Sequence, residues 1–112
     1  MADVLVVTSG KGGVGKTTTA INLAVALRDD GHPTAVLDAD LGMPNVGEFL
    51  GLDPDATLHE VLSGRASVGE ALVELEAGLS VLPGNPDLES FSAADPDGLE
   101  RVVESLSEHR YV

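Results

Sequence analysis

The feature that most constrains this chain is a run near its start, Gly10-Lys-Gly-Gly-Val-Gly-Lys16-Thr17. A glycine, four residues and then Gly-Lys-Thr is the spacing of a Walker A phosphate loop. Several backbone N–H groups must converge on a triphosphate at close range, and glycines allow the close approach and the positive φ angles this takes. In such a loop Lys16 reaches the β- and γ-phosphate oxygens and the Thr17 hydroxyl ligates Mg²⁺. The flanks fit. Val4-Leu-Val-Val7 is a continuous apolar run, as in a strand buried on both faces. Ala20, Leu23, Ala24 and Leu27 then recur at helical spacing, with Gly31 placed to end the helix as its C′ residue and Pro33 to prevent its resumption. The helix would point its positive end at the phosphates. A glycine-rich turn matching by chance would lack this strand and helix. Gly10, Gly12 and Gly15 also spell the dinucleotide string G-x-G-x-x-G, but Lys16-Thr17 has no role in such a site.

Charge isolates the same loop. Nineteen acidic and 6 basic residues give a formal net charge of −13, and the only lysines are Lys11 and Lys16; the remaining basic residues are Arg28, Arg65, Arg101 and Arg110. Lysine is retained only where a site needs it. A surface this acidic lacks the clustered cations that neutralise nucleic-acid phosphates, so no direct nucleic-acid partner is expected. Self-repulsion on this scale is tolerable where molar salt shortens the Debye length to about 3 Å, which predicts a halophile's surface. An ordinary acidic protein is the alternative. With no cysteine, disulfides, thiolate metal sites and cysteine nucleophiles are excluded within the chain. The apolar run near the start is too short for a signal peptide or a membrane span, so a cytoplasmic protein is expected.

The rest of the sequence alternates strand and helix. Ala35-Val-Leu37 reads as a second strand, whose end, Asp38-Ala-Asp40, opens a loop through Gly42, Pro44 and Asn45. Thr57 with Glu60 and Ser67 with Glu70 have the spacing of capping boxes. Leu58, Val61 and Leu62 make one helical stripe and Val68, Leu72 and Leu75 another. Leu79 to Pro83 reads as a third strand ended by Gly84-Asn85-Pro86. Asp95 caps a helix with Pro96 at its first position, burying Leu99, Val102, Val103 and Leu106. Tyr111-Val112 looks like the opening of another strand. Such alternation predicts an α/β doubly wound parallel sheet. Residues 1–112 read as part of a single domain.

The segment Lys11-Gly-Gly-Val-Gly-Lys16-Thr17-Thr18 resembles the deviant Walker A loop of the MinD/ParA family of P-loop NTPases. Leu37-Asp-Ala-Asp40-Leu-Gly-Met-Pro-Asn45 resembles that family's switch region. The similarity continues more loosely to Val112, and within the wider group, which includes Mrp-type carriers and nitrogenase iron protein, both motifs look most like the MinD branch. The resemblance implies that Gly10, Lys11, Gly12, Gly13, Val14, Gly15, Lys16, Thr17 and Thr18 bind ATP. It also implies that Lys11 reaches the nucleotide of a second subunit, making ATP the ligand that closes a homodimer. Lys11, Lys16 and Asp40 would be catalytic, Asp40 by positioning or activating the attacking water. Thr17 would ligate Mg²⁺ directly, with Asp38 and Asp40 supporting it through water. Asn45 is a further switch-loop candidate. Taken without the loop, either aspartate is merely a carboxylate at the start of a loop, since acids are everywhere in this sequence.

The departures from the family concern length. Family members are roughly twice as long, and the Walker B aspartate, the second switch and any C-terminal membrane helix would lie beyond Val112, so the chain is expected to be the N-terminal portion of such a domain. The functions in view are an ATP-dependent dimerising switch ATPase in cell-division site placement or partitioning, an Mrp-type iron-sulfur carrier ATPase, and a truncated nucleotide-binding module without turnover. The first could also be membrane-peripheral at full length and would act on a protein partner not identified by the sequence. The remaining polar residues read as surface. His32, His59 and His109 have no metal-ligand spacing and are expected to face solvent. Glu74/Glu76 and Asp95/Asp97 are expected to be solvated pairs, and Arg101 and Arg110 to balance local acids.

Overall fold

The structure, a computed structural model, describes residues 3–7, 15–40, 44–85 and 94–112. Helix α1, Lys16–Asp29, leads to strand β1, Thr34–Leu37. Three short helices follow: α2 (Val46–Phe49), α3 (Leu58–Leu62) and α4 (Val68–Ala71). Strands β2 (Val73–Glu76) and β3 (Leu79–Leu82) precede a 3₁₀ turn at Pro96–Gly98 that runs into helix α5, Leu99–Ser105.

Local chemistry explains the boundaries. Gly31, at φ +88°, ends α1 as expected. Its N–H donates to Arg28 O at 2.9 Å and the His32 N–H to Leu27 O at 3.0 Å, the paired bonds of a Schellman motif. Both capping boxes form, at Thr57/Glu60 and Ser67/Glu70. The Asp95 carboxylate accepts the Asp97 N–H at 3.0 Å, with Pro96 in the first turn.

The sheet order is β1-β3-β2. β1 and β3 run parallel in the register Thr34↔Leu79 to Leu37↔Leu82. β2 runs antiparallel to β3 with an irregularity between Glu74 and Glu76, so this part of the sheet is mixed rather than wholly parallel. Here the helical stripe read at Val68, Leu72 and Leu75 is corrected: α4 stops at Ala71 and Leu75 lies in β2. The alternation Val73-Glu-Leu-Glu76, followed by a turn with Gly78 at φ +82°, is the hairpin signal that prevails.

Helices cover both faces of the sheet, as a doubly wound fold requires. Ala24, Val36, Val46, Leu79 and Val81 form one core cluster, packed by Ile21 and Val25 of α1. Leu58, Leu62, Ala71, Leu82 and Val102 form the other. Full burial of a side chain such as Leu58 or Leu82 contributes about 1.5–3 kcal/mol.

The stripe of α1 is rotated from its expected position. Ala24 is buried as expected, but Leu23 is 38% exposed. Ala20, Leu23 and Leu27 line a cavity of about 550 Å³ that also touches Val4 to Val7 and β1. The apolar run at Val4 to Val7 is likewise not the buried strand expected: Val4, Leu5 and Val6 are 52%, 45% and 80% exposed. Among the described residues it pairs with residues 110–112. Asp3 N–H donates to Arg110 O, Val112 N–H to Asp3 O and Leu5 N–H to Val112 O. Tyr111 bridges Asp3 on one side and Thr34 on the other, and Arg110 bonds Asp3 and Pro33, so residues 110 and 111 tie the N-terminal run to β1. Among the described residues no helix is long and apolar enough to cross a membrane.

Candidate phosphate site at the start of the first helix

Gly15 sets the entry to the site. It is the N-cap of α1 at φ +83°, a left-handed conformation that glycine adopts without steric cost. The Thr19 N–H donates to Gly15 O at 2.9 Å to close the first turn. Among the described residues no side chain caps the helix, and no acidic residue occupies its first turn, so its positive end is offered to an anion. Gly10, Lys11, Gly12, Gly13 and Val14 lie outside the described residues, as do Leu41, Gly42 and Met43.

The start of α1 meets the loop after β1. Lys16 Nζ lies 3.6 Å from Asp40 Oδ2, with both side chains partly exposed. The Thr17 hydroxyl donates to Asn45 Oδ1 at 2.6 Å. Its proton is thereby committed to Asn45, which leaves the oxygen lone pairs available to a cation. Thr18 is exposed on the first turn.

Asp38 sits deeper, at 6% exposure. Its Oδ1 accepts the Asp40 N–H at 3.2 Å, and its Oδ2 accepts the N–H groups of Asn45 and Val46 at 3.0 Å each. Those last two donors belong to the start of α2, where the N-cap residue Asn45 makes no capping bond with its own side chain. Asp38 supplies the cap instead, and the Asn45 side chain is turned to Thr17. This structural duty of Asp38 has no signature in the spacing.

The donor set suits a hard cation. Thr17, Asp38 and Asp40 offer oxygen only, and Mg²⁺ keeps several waters while taking one or two protein ligands beside substrate phosphates. Among the described residues no group of three or more His, Asp or Glu side chains could enclose a metal ion alone. The residues present therefore fit a Mg²⁺ shared with a phosphate rather than a protein-only cage.

Two histidine expectations are corrected. His59 is fully buried and His109 is 9% exposed. The His109 ring meets Leu106 O through Nδ1 at 3.0 Å, and His59 Nδ1 accepts the Asn85 N–H at 2.9 Å. His59 lies in α3 and His109 in the bend after α5, and in each a backbone partner satisfies the ring and removes the need for solvent. Glu76 and Arg110 follow expectation as surface charges: Glu76 pairs with Arg28 and Arg110 with Asp3. The hydrogen bond that Arg28 donates to Glu76, followed by the one it donates to Asp29, raises the Arg28 pKa above its ordinary value.

Comparison with known proteins agrees with this geometry. A profile of the ParA family, described as NUBPL iron-transfer P-loop NTPase, matches residues 1–75. An uncharacterized ATP-binding protein of Methanocaldococcus jannaschii is 44% identical over 95% of this chain and 40% of its own length. The crystal structure of the cell division ATPase MinD of Pyrococcus furiosus superposes with a TM-score of 0.90 at 43% identity, over 99% of this chain and 48% of that one. The septum site-determining protein MinD of Pyrococcus horikoshii, complexed with Mg-ADP, gives 0.90 at 38% identity, over 99% and 47%. The chain thus spans about two fifths of the length of the curated relative and about half of the solved chains. It belongs to the ParA/MinD family of P-loop NTPases.

Proposed function

We propose that this chain carries the nucleotide-binding part of an ATP-dependent dimerising switch ATPase of the MinD kind, acting in cell-division site placement or partitioning in the cytoplasm. The observation that carries the reading is the meeting of Lys16 with Asp40 and of Thr17 with Asn45 at the uncapped start of α1.

The helix N-terminus and the loop Gly10 to Thr18 bind the phosphates. Lys16 exchanges its contact with Asp40 for the phosphate oxygens, where its charge stabilises negative charge developing in phosphoryl transfer. Asp40, released from Lys16, orients a water for attack. Thr17 would hold Mg²⁺ through its oxygen, with Asp38 and Asp40 supporting it through water. Bound there, Mg²⁺ supplies neutralisation of the β- and γ-phosphates. Lys11 reaches a nucleotide in the second subunit, so that ATP closes the homodimer. The iron-transfer description of the family profile favours a second reading, a cluster carrier. The cluster-ligating cysteines of that reading would have to lie outside residues 1–112, which contain none, so cysteine content does not separate the two.

ATP with Mg²⁺ should raise the melting temperature in molar potassium chloride. The gain approaches about 2.7 kcal/mol at a hundredfold excess over Kd. Lys16→Ala should abolish it. Identical melting curves with and without ATP, for a folded chain, would overturn the reading.

A further inference from the structure

A buried histidine stands behind the phosphate site. His59, on α3, is fully buried, and its Nδ1 accepts the Asn85 N–H at 2.9 Å. Accepting there, Nδ1 carries no proton, so the ring is neutral with its hydrogen on Nε2. The neighbouring Glu60 meets the same residue, with Asn85 Nδ2 3.5 Å from Glu60 Oε2. Leu58 N–H donates to Pro83 O at 2.7 Å. The start of α3 thus grips the segment that leaves β3.

That segment touches the loop bearing Asn45. A Cβ built on Gly84 would fall 2.5 Å from Pro44 Cβ and 3.1 Å from His59 Cε1. Gly84 is therefore pressed between the imidazole and the Pro44 ring with no room for a side chain. Pro44 is buried and directly precedes Asn45, the acceptor for the Thr17 hydroxyl. Movement of His59 would pass through packed atoms, Gly84 and then Pro44, to Asn45.

We propose that His59 is a positioning residue for Thr17: by accepting the Asn85 N–H it holds Gly84 against Pro44, and this fixes Asn45 where it takes the Thr17 hydroxyl proton and leaves the oxygen lone pairs facing a Mg²⁺ shared with a phosphate. The proposal rests on the nucleotide-site reading above.

The test measures ATP affinity of the full chain in magnesium and in EDTA, and takes the ratio as the Mg²⁺ contribution. His59→Leu removes the acceptor and should reduce that ratio about tenfold, the scale of one lost hydrogen bond, with affinity in EDTA little changed. His59→Asn places its amide oxygen near the position of Nδ1 and should restore the ratio. His59→Gln carries its acceptor farther out and should not. A purely structural histidine would lower the melting temperature in all three variants and leave the ratio alone, which overturns the proposal. Should His59→Leu fail to fold, the Asn and Gln variants decide, and equal ratios for the two overturn it. A wild-type chain whose ATP affinity ignores Mg²⁺ would instead remove the underlying reading of the site.

Discussion

Asp38 caps helix α2 from outside it: its Oδ2 accepts the Val46 backbone N–H at 3.0 Å, eight positions along the chain. The same oxygen holds the Asn45 N–H. Asp38→Ala leaves buried donors without a partner, which costs about 1–3 kcal/mol. Asp38→Asn keeps an amide oxygen and should lose less. Urea midpoints measured without nucleotide or magnesium check this. If Asp38 served only a metal, the metal-free midpoint of Asp38→Ala would equal that of the wild type.

Two glycines should fail for different reasons. At Gly15 a Cβ meets nothing within 4 Å, and the left-handed φ of +83° is the obstacle. Gly15→Ala should cost about 1–2 kcal/mol of backbone strain, and Gly15→Asn less, because asparagine visits that region more readily. At Gly84 the obstacle is Pro44, so both substitutions overpack the site and cost about 1–3 kcal/mol. A domain of this size loses roughly 4–8 °C in Tm for each kcal/mol. Equal Tm values for Gly15→Ala and Gly15→Asn would argue against strain at that position.

Salt should act on the whole surface. With a net charge of −13, the chain should lose stability as potassium chloride falls from molar to about 0.1 M, where the Debye length grows to about 10 Å. Chemical denaturation at the two salt concentrations measures the change. An unchanged midpoint would mean that the acids are spaced widely enough not to repel, and the halophilic reading would be lost.

The phosphate loop was legible because its spacing has one physical use, and the helix that follows it starts and stops where Gly15 and Gly31 require. β1 and β3 were legible as short continuous apolar runs, and both capping boxes because each joins residues three apart. The failures involve distant partners. Leu75 fits a helical stripe and an alternating strand equally, and pairing with β3 decides for the strand. Whether Val4 to Val7 is buried depends on what lies beside it: among the described residues Leu5 N–H bonds Val112 O, and Val4 to Val7 line the cavity. His59 looked like a surface residue because its partner, Asn85, lies 26 positions away. Asn45 and Asp38 stood out as polar residues in a loop, but that Asp38 caps α2 while the Asn45 side chain turns to Thr17 needs coordinates to be seen.

Asp40 gives the prediction that separates binding from turnover. Its pair with Lys16 is long, at 3.6 Å, and both side chains are more than a third exposed. An exposed pair of this kind contributes about 0–1 kcal/mol, so Asp40→Asn should hardly change the urea midpoint. Lys16 loses a competing carboxylate in the variant, and the phosphates lose a nearby negative charge. ATP affinity should therefore hold or improve by a few fold. Turnover is different, because an amide cannot draw a proton from water as a carboxylate does. Hydrolysis in a protein that carries this sequence at the length of its relatives should fall at least tenfold, or about 1.4 kcal/mol of transition-state stabilisation. Stability, nucleotide affinity and single-turnover hydrolysis measured on the same preparation check the pattern. If affinity falls in step with hydrolysis, Asp40 serves to hold the nucleotide and its role toward water must be given up.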